Sequence, residues 1–227
     1  MDVTYGHDLA FWGQWVLANL LGELVGLGVV AGVSYGALIQ FGEPTSALAL
    51  LGFAALAVAL GAVEGAVVGQ AQAVVLRRRL PRLRSWVAAT IVGSVIAWTL
   101  GVLPSTLGGL LSAGRTEPPA EIPDALQLLL AVPMGLVAGT ILSLPQWRIL
   151  RRSVSGAGWW VPANALAWAF GMPLVFVAAG VRPPAGAASA LAMVGGSLAA
   201  AGAVVGAIHG AVLVRLLKRG DDGLRPF

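Results

Sequence analysis

Two carboxylic acids in apolar surroundings, Glu23 and Glu64, are the residues of this sequence best placed to do chemistry. Glu23 stands among Leu20, Leu21, Leu24 and Val25, and Glu64 among Val63, Ala66 and Val67. An acid in a poor dielectric must be neutralised, paired or hydrogen-bonded, and two acids side by side would hold one proton between them. Two readings follow: a proton or solute path that the acids line, or structural hydrogen bonds from a protonated acid to a carbonyl. His209, one of 2 histidines, is a third candidate for such a path. A single imidazole on a helix face serves equally well as a hydrogen-bonded packing group.

The elements that position these groups follow from composition. Of 227 residues, 58% are hydrophobic and 11% charged, far from the balance of a water-soluble domain. Leu48 to Leu76 and Ala187 to Val214 are each longer than the roughly 20 apolar residues that cross a bilayer core, and each holds one ionisable group. The expectation is an all-α, polytopic transmembrane bundle of about six helices, forming a single domain over the whole chain. The spans run from about Phe11 to Leu38, from Ser46 (an N-cap) to Leu76, from Trp86 to Pro104, from Ala125 to Leu150, from Trp159 to Gly180 and from Ala187 to Leu217. The first is read as a retained helix, because Met1 to Asp8 has no positive leader region. At about 1.5 Å per residue, Glu23 lies about 18 Å beyond Phe11 and Glu64 about 18 Å before Leu76. Both acids fall near mid-depth on neighbouring antiparallel helices, where they are expected to meet. His209 lies about 12 Å from its basic helix end.

Self-comparison divides the chain into three parallel two-helix repeats, over residues 11–79, 86–152 and 159–219. Each opens on Trp-Val-x-Ala followed by Asn or Thr: Trp15 to Asn19, Trp86 to Thr90 and Trp160 to Asn164. Each closes on a ladder of small residues leading to a basic end: Gly61, Gly65, Gly69 before Arg77 and Arg78; Gly135, Gly139, Ser143 before Arg151 and Arg152; Gly202, Gly206, Gly210 before Lys218 and Arg219. Small residues four apart form a groove that admits another backbone, so the glycines are assigned to helix packing within or between chains. Gln72 and Gln146 occupy matching positions, as do Asn19, Thr90 and Asn164, and both sets are expected to tie helices together. The two acids break the repeat. A pattern of Gly-x-x-x-Gly (Gly65, Gly139), Gln (Gln72, Gln146), Leu-Arg-Arg (Leu76 to Arg78, Leu150 to Arg152) and Trp-Trp (Trp159, Trp160) resembles a group of uncharacterised bacterial six-helix membrane proteins. The resemblance implies a fold and no activity; the third unit departs from it, with Leu213 in place of the Gln.

Of 14 basic residues, all but Arg115 and Arg182 sit in three clusters at helix ends that six crossings would place on one side. Basic residues accumulate on the cytoplasmic side, so both termini are expected there, in an inner membrane. Trp12, Trp15, Trp86, Trp147, Trp159 and Trp160 lie near the same ends and are read as interface anchors beside the basic residues, with an aromatic ligand cage as the other reading. The clustering places the net charge of +4 at helix ends rather than on a nucleic-acid-binding face. With 0 cysteines, thiolate metal sites and disulfides are excluded, and 2 histidines cannot make a multi-histidine metal site. No phosphate loop, His-Glu-x-x-His or nucleophile with a base is present, so no enzyme activity and no cofactor is expected, although the glycine faces leave room for a bound lipid or pigment. The functional expectation is a helix-packing module, an accessory or assembly subunit meeting a membrane-protein partner or a second copy. The alternative is a small proton-coupled transporter or channel built on Glu23, Glu64 and His209.

Overall fold

The computed structural model describes residues 3–80, 85–112, 122–180 and 186–222, with side chains over 6–80, 85–112, 122–180 and 186–218. Its elements are α1 (Val3–Phe41), α2 (Ala47–Leu76), α3 (Trp86–Ser112), α4 (Asp124–Leu150), a 3-10 turn (Ala157–Trp159), α5 (Trp160–Ala179) and α6 (Ala187–Asp222). Six helices are long and apolar enough to cross a membrane, and the described residues contain no strand. The protein is an all-α, multi-pass membrane protein in contact with lipid. Helix is the expected state here, because hydrocarbon offers no partner to a free backbone N–H or C=O.

Each helix packs on its neighbours in the chain, and α6 closes on α1, so the six form a ring. The packing register shows that neighbours are antiparallel. Gly61, Gly65 and Gly69 on α2 meet Trp98, Ser94 and Thr90 on α3, one sequence rising as the other falls. Gly135 and Gly139 on α4 meet Trp168 and Asn164 on α5 in the same sense, as Gly202, Gly206 and Gly210 on α6 meet Asn19 and Trp15 on α1. The basic ends of α2, α4 and α6 therefore share one end of the bundle with the starts of α1, α3 and α5. The α3–α4 contact is the least extensive of the six.

Local signals place most of the boundaries. Ser46 caps α2, its Oγ accepting from the Ala49 amide at 3.2 Å. Gly42 ends α1 with φ of 73° while its N–H bonds the Leu38 carbonyl, a left-handed cap suited to a residue without Cβ. Three boundaries differ from expectation by more than three residues. α1 starts at Val3 rather than Phe11, and the added turns carry Asp8, which pairs with Arg79 at 3.3 Å and Lys218 at 2.8 Å and ties α1 to the ends of α2 and α6. α3 passes through Pro104 to Ser112. Proline removes a single amide donor, whereas stopping the helix inside hydrocarbon would strand several backbone groups. α6 continues to Asp222, past Leu217. The loop acids Glu117 and Glu121, and Arg82, Arg84, Arg115, Arg182 and Arg225, lie outside the described residues.

The largest cluster of buried hydrophobic side chains is at the basic end, where Trp15, Trp86 and Trp160 are packed with Leu76, Leu150 and Leu213. Two smaller clusters, around Trp168 and Val205 and around Leu27 and Leu198, lie farther along the bundle.

Candidate functional site

Trp15, Trp86 and Trp160 are each 0% exposed and converge on the axis of the ring. Their ring centroids lie 5.9 to 6.4 Å apart with interplanar angles of 61 to 72°, the edge-to-face arrangement that aromatic quadrupoles favour. This corrects the reading of Trp86 and Trp160 as lipid-interface anchors. Their depth suits a headgroup belt, but their helix faces point inward, where the indole N–H finds a protein acceptor instead of a headgroup.

Each of those N–H groups joins one hairpin to another. Trp86 Nε1 donates to Gln72 Oε1 at 3.0 Å and Trp160 Nε1 to Gln146 Oε1 at 3.1 Å. The third bond, from Trp15 Nε1, goes to His209 Nδ1 at 2.9 Å. Leu213 occupies the sequence position of a third Gln, and His209, one turn earlier on α6, supplies the missing acceptor. Because its Nδ1 accepts, the proton of this imidazole resides on Nε2. Within hairpins, Gln72 Nε2 donates to Asn19 Oδ1 at 2.9 Å and Gln146 Nε2 to Thr90 Oγ1 at 2.9 Å. Asn19, Thr90 and Asn164 each donate back to the carbonyl of the Trp four residues earlier, at 2.7, 3.0 and 2.8 Å. The polar layer thus closes the basic end of the bundle with side-chain bonds.

Glu23 and Glu64 are 2% and 6% exposed and line one small polar cavity of about 20 Å³ beyond this layer, together with His209, Asn19, Gln72 and Asn164. That space admits about one water-sized group. The three acid and imidazole candidates are therefore brought to a common cavity. Glu64 Oε2 lies 2.8 Å from Ser94 Oγ and accepts from Trp98 Nε1 at 2.7 Å. Glu23 Oε2 is the one buried side-chain oxygen or nitrogen without a hydrogen-bond partner among the described residues. Gly26 lets α1 approach here, since a Cβ added to it would lie 3.1 Å from Glu64 Cγ.

Sequence reasoning does not single out Ser94 and Trp98 as partners of Glu64, yet a spacing signal exists. Ser94 follows Trp86 by eight residues, as Glu23 follows Trp15 and Trp168 follows Trp160. All three of these residues line the central cavity. The position eight past each Trp therefore marks the axial lining of the ring.

A second cavity, of about 650 Å³, occupies the half of the bundle remote from the basic ends, between α3, α4 and α5. Its walls are apolar, formed by residues such as Leu100, Pro104, Leu130, Met134 and Phe176, and Trp98, Glu64 and Ser94 provide its polar end. Glu64, Ser94, Leu142 and Trp168 line both cavities, so the two adjoin there.

At the basic end, Arg77, Arg78, Arg151 and Arg152 are exposed. Arg78 donates to Gln14 at 2.7 Å, and Arg151 lies 5.0 Å over the Trp147 ring. Lys218 is held by Asp8, and the side chain of Arg219 lies outside the described residues. Trp159, 64% exposed, is placed to suit an interface anchor. Among the described residues no cluster of three or more His, Cys, Asp or Glu could hold a metal ion. Comparison of the chain with models of protein families, with curated proteins and with solved structures gives no match.

Proposed function

We propose that this protein is a non-enzymatic, proton-linked carrier module in which Glu23 and Glu64 hold a shared proton where an apolar cleft meets a polar cavity. One observation carries the reading: Glu23 Oε2 is buried without a partner, in a residue that lines the same small cavity as the second acid. A purely structural carboxyl would have its oxygens satisfied, because an unpartnered buried polar atom costs about 1–3 kcal/mol. The hydroxyl of Ser94 adds support. Its Oγ lies 2.7 Å from the Gly61 carbonyl and 2.8 Å from Glu64 Oε2, yet it has one proton to donate. With that proton given to Gly61, the second contact is made by a proton on Glu64.

The other reading, an accessory or assembly subunit, rests on helix faces free to meet a partner. Here the three small-residue ladders face the chain's own helices, so partner or self-association through them has no support from the packing. We further propose that the three hairpins are a true internal repeat shared with the resembling bacterial proteins. The Trp-to-Gln bonds, each spanning 14 residues between successive hairpins, support it. We also place both termini in the cytoplasm of a bacterial cell, with the protein in the inner membrane and no nucleic acid as partner.

Two measurements test these proposals. Reporter fusions after positions 44, 118 and 184 should all read external; a cytoplasmic signal at 118 contradicts the orientation. In infrared difference spectra the wild type should show one carboxylic-acid carbonyl band, which Glu23→Gln leaves in place and Glu64→Gln moves as the proton passes to Glu23. Two separate bands, or none, would exclude a shared proton. Because the amide keeps an acceptor, Glu64→Gln should cost under about 1 kcal/mol of stability, whereas Glu64→Leu, which orphans the Trp98 donor, should cost about 1–3 kcal/mol.

A further inference from the structure

The apolar cleft and the polar cavity adjoin at Glu64, Ser94, Leu142 and Trp168, and their sizes and linings differ in kind. The cleft of about 650 Å³ falls within the roughly 300–1,000 Å³ of sites that hold whole small molecules. It is bounded by α3 and α4, which share the least extensive helix contact of the ring, and Pro104 and Pro133 both stand in its wall. The polar cavity behind its inner end, at about 20 Å³, has space for a single oxygen-sized group. Glu64 Oε2 is already engaged by Trp98 and Ser94, and the atom still lacking a partner is Glu23 Oε2, which can accept.

We propose that the cleft is a binding site for a membrane-soluble alcohol, an apolar chain or ring body with one terminal hydroxyl, which enters between α3 and α4 and directs its hydroxyl past Glu64 toward Glu23 Oε2. A hydroxyl matches the small cavity in volume and donates the proton that Glu23 can accept. A charged head would have to be desolvated along apolar walls, and a branched or multiply polar head exceeds the inner cavity. Lipid tails alone would fill the cleft and leave the acceptor unpartnered. This occupancy does not require that the acids exchange protons, so it stands or falls separately from the carrier reading.

The test is photolabelling of the full chain in phosphatidylcholine vesicles with a diazirine-bearing octadecanol and, in parallel, its methyl ether, which lacks the donor. The alcohol should label residues of α3 and α4 that line the cleft, saturate, and be competed by plain octadecanol. The ether should label the same positions about tenfold less, the effect of one hydrogen bond. Glu23→Leu should lower the alcohol to the level of the ether, while Glu23→Gln, which keeps an acceptor, should preserve the preference. Ala138→Phe, in the cleft wall and away from both acids' hydrogen bonds, should abolish labelling by both probes while the thermal unfolding midpoint is retained. Equal labelling by alcohol and ether, labels spread over the lipid-facing surface, or undiminished labelling of Ala138→Phe would each overturn the proposal. The first of those results would show a gap filled by lipid tails. The infrared band that reports the shared proton is read independently of all these arms.

Discussion

Trp160→Ala is expected to be among the most damaging single substitutions in this protein, lowering stability by about 3–5 kcal/mol. The transfer term of a soluble core shrinks in a bilayer, because lipid tails are as apolar as the protein interior. What persists is the void on the ring axis, where the edges of Trp15 and Trp86 lose a packed partner. The loss also leaves Gln146 Oε1 without the donor that now lies 3.1 Å away. Trp160→Phe separates the two contributions, since it keeps most of the ring and removes the N–H, and should cost about 1–3 kcal/mol. Trp159→Ala, at a residue 64% exposed, should change stability by no more than about 0.5 kcal/mol. Denaturant titration in mixed micelles, followed by far-ultraviolet circular dichroism, measures all three. Equal effects at positions 159 and 160 would contradict the buried cluster and restore the interface-anchor reading.

Alanine in place of glycine should change sign around the helices. At Gly139 an added Cβ would collide with the backbone carbonyl of Asn164, and at Gly202 it would lie 2.6 Å from the Asn19 carbonyl oxygen and 2.8 Å from the Leu20 Cα. Backbone atoms cannot rotate away as a side chain can, so the two helices must separate. Each substitution should cost about 1–3 kcal/mol, in the upper part of that range or beyond where the separation also disturbs the Asn19 or Asn164 bonds. A Cβ added at Gly32 or Gly36 would have nothing within 4 Å, and alanine there should stabilise the helix by up to about 1 kcal/mol. The same titration measures all four variants. Neutral behaviour of Gly139→Ala or Gly202→Ala would mean that α4–α5 and α6–α1 are not in the tight register described.

Much of the architecture is legible in particular residues. Ser46 marks the start of α2, Leu76 and Leu150 mark the ends of α2 and α4, and the spacing from Trp to Asn or Thr locates the polar layer without knowledge of its bonds. The apolar stretches require helices because hydrocarbon leaves the backbone no other way to satisfy its polar groups. The identities of Glu23, Glu64 and His209 as groups needing an explanation follow from the cost of burying them. At Pro104 the expectation of a helix end fails, because a rule suited to water does not hold within a bilayer.

Which face of each helix turns inward is decided by the tertiary structure. In water a polar stripe reveals the outer face; here lipid and protein interior are both apolar, so leucines and valines face either way at similar cost and the side-chain pattern carries little orientation. Depth alone therefore assigns Trp86 and Trp160 to the headgroup belt, although their faces turn to the axis. The glycine ladders could equally have met a partner chain, until packing showed Trp98, Asn164 and Asn19 against them. His209 as the acceptor for Trp15, Ser94 and Trp98 as the partners of Glu64, and the cleft between α3 and α4 all depend on contacts between helices far apart in sequence. A spacing rule within one helix contains no information about those contacts, because it specifies neither which helices adjoin nor how far they are rotated about their axes.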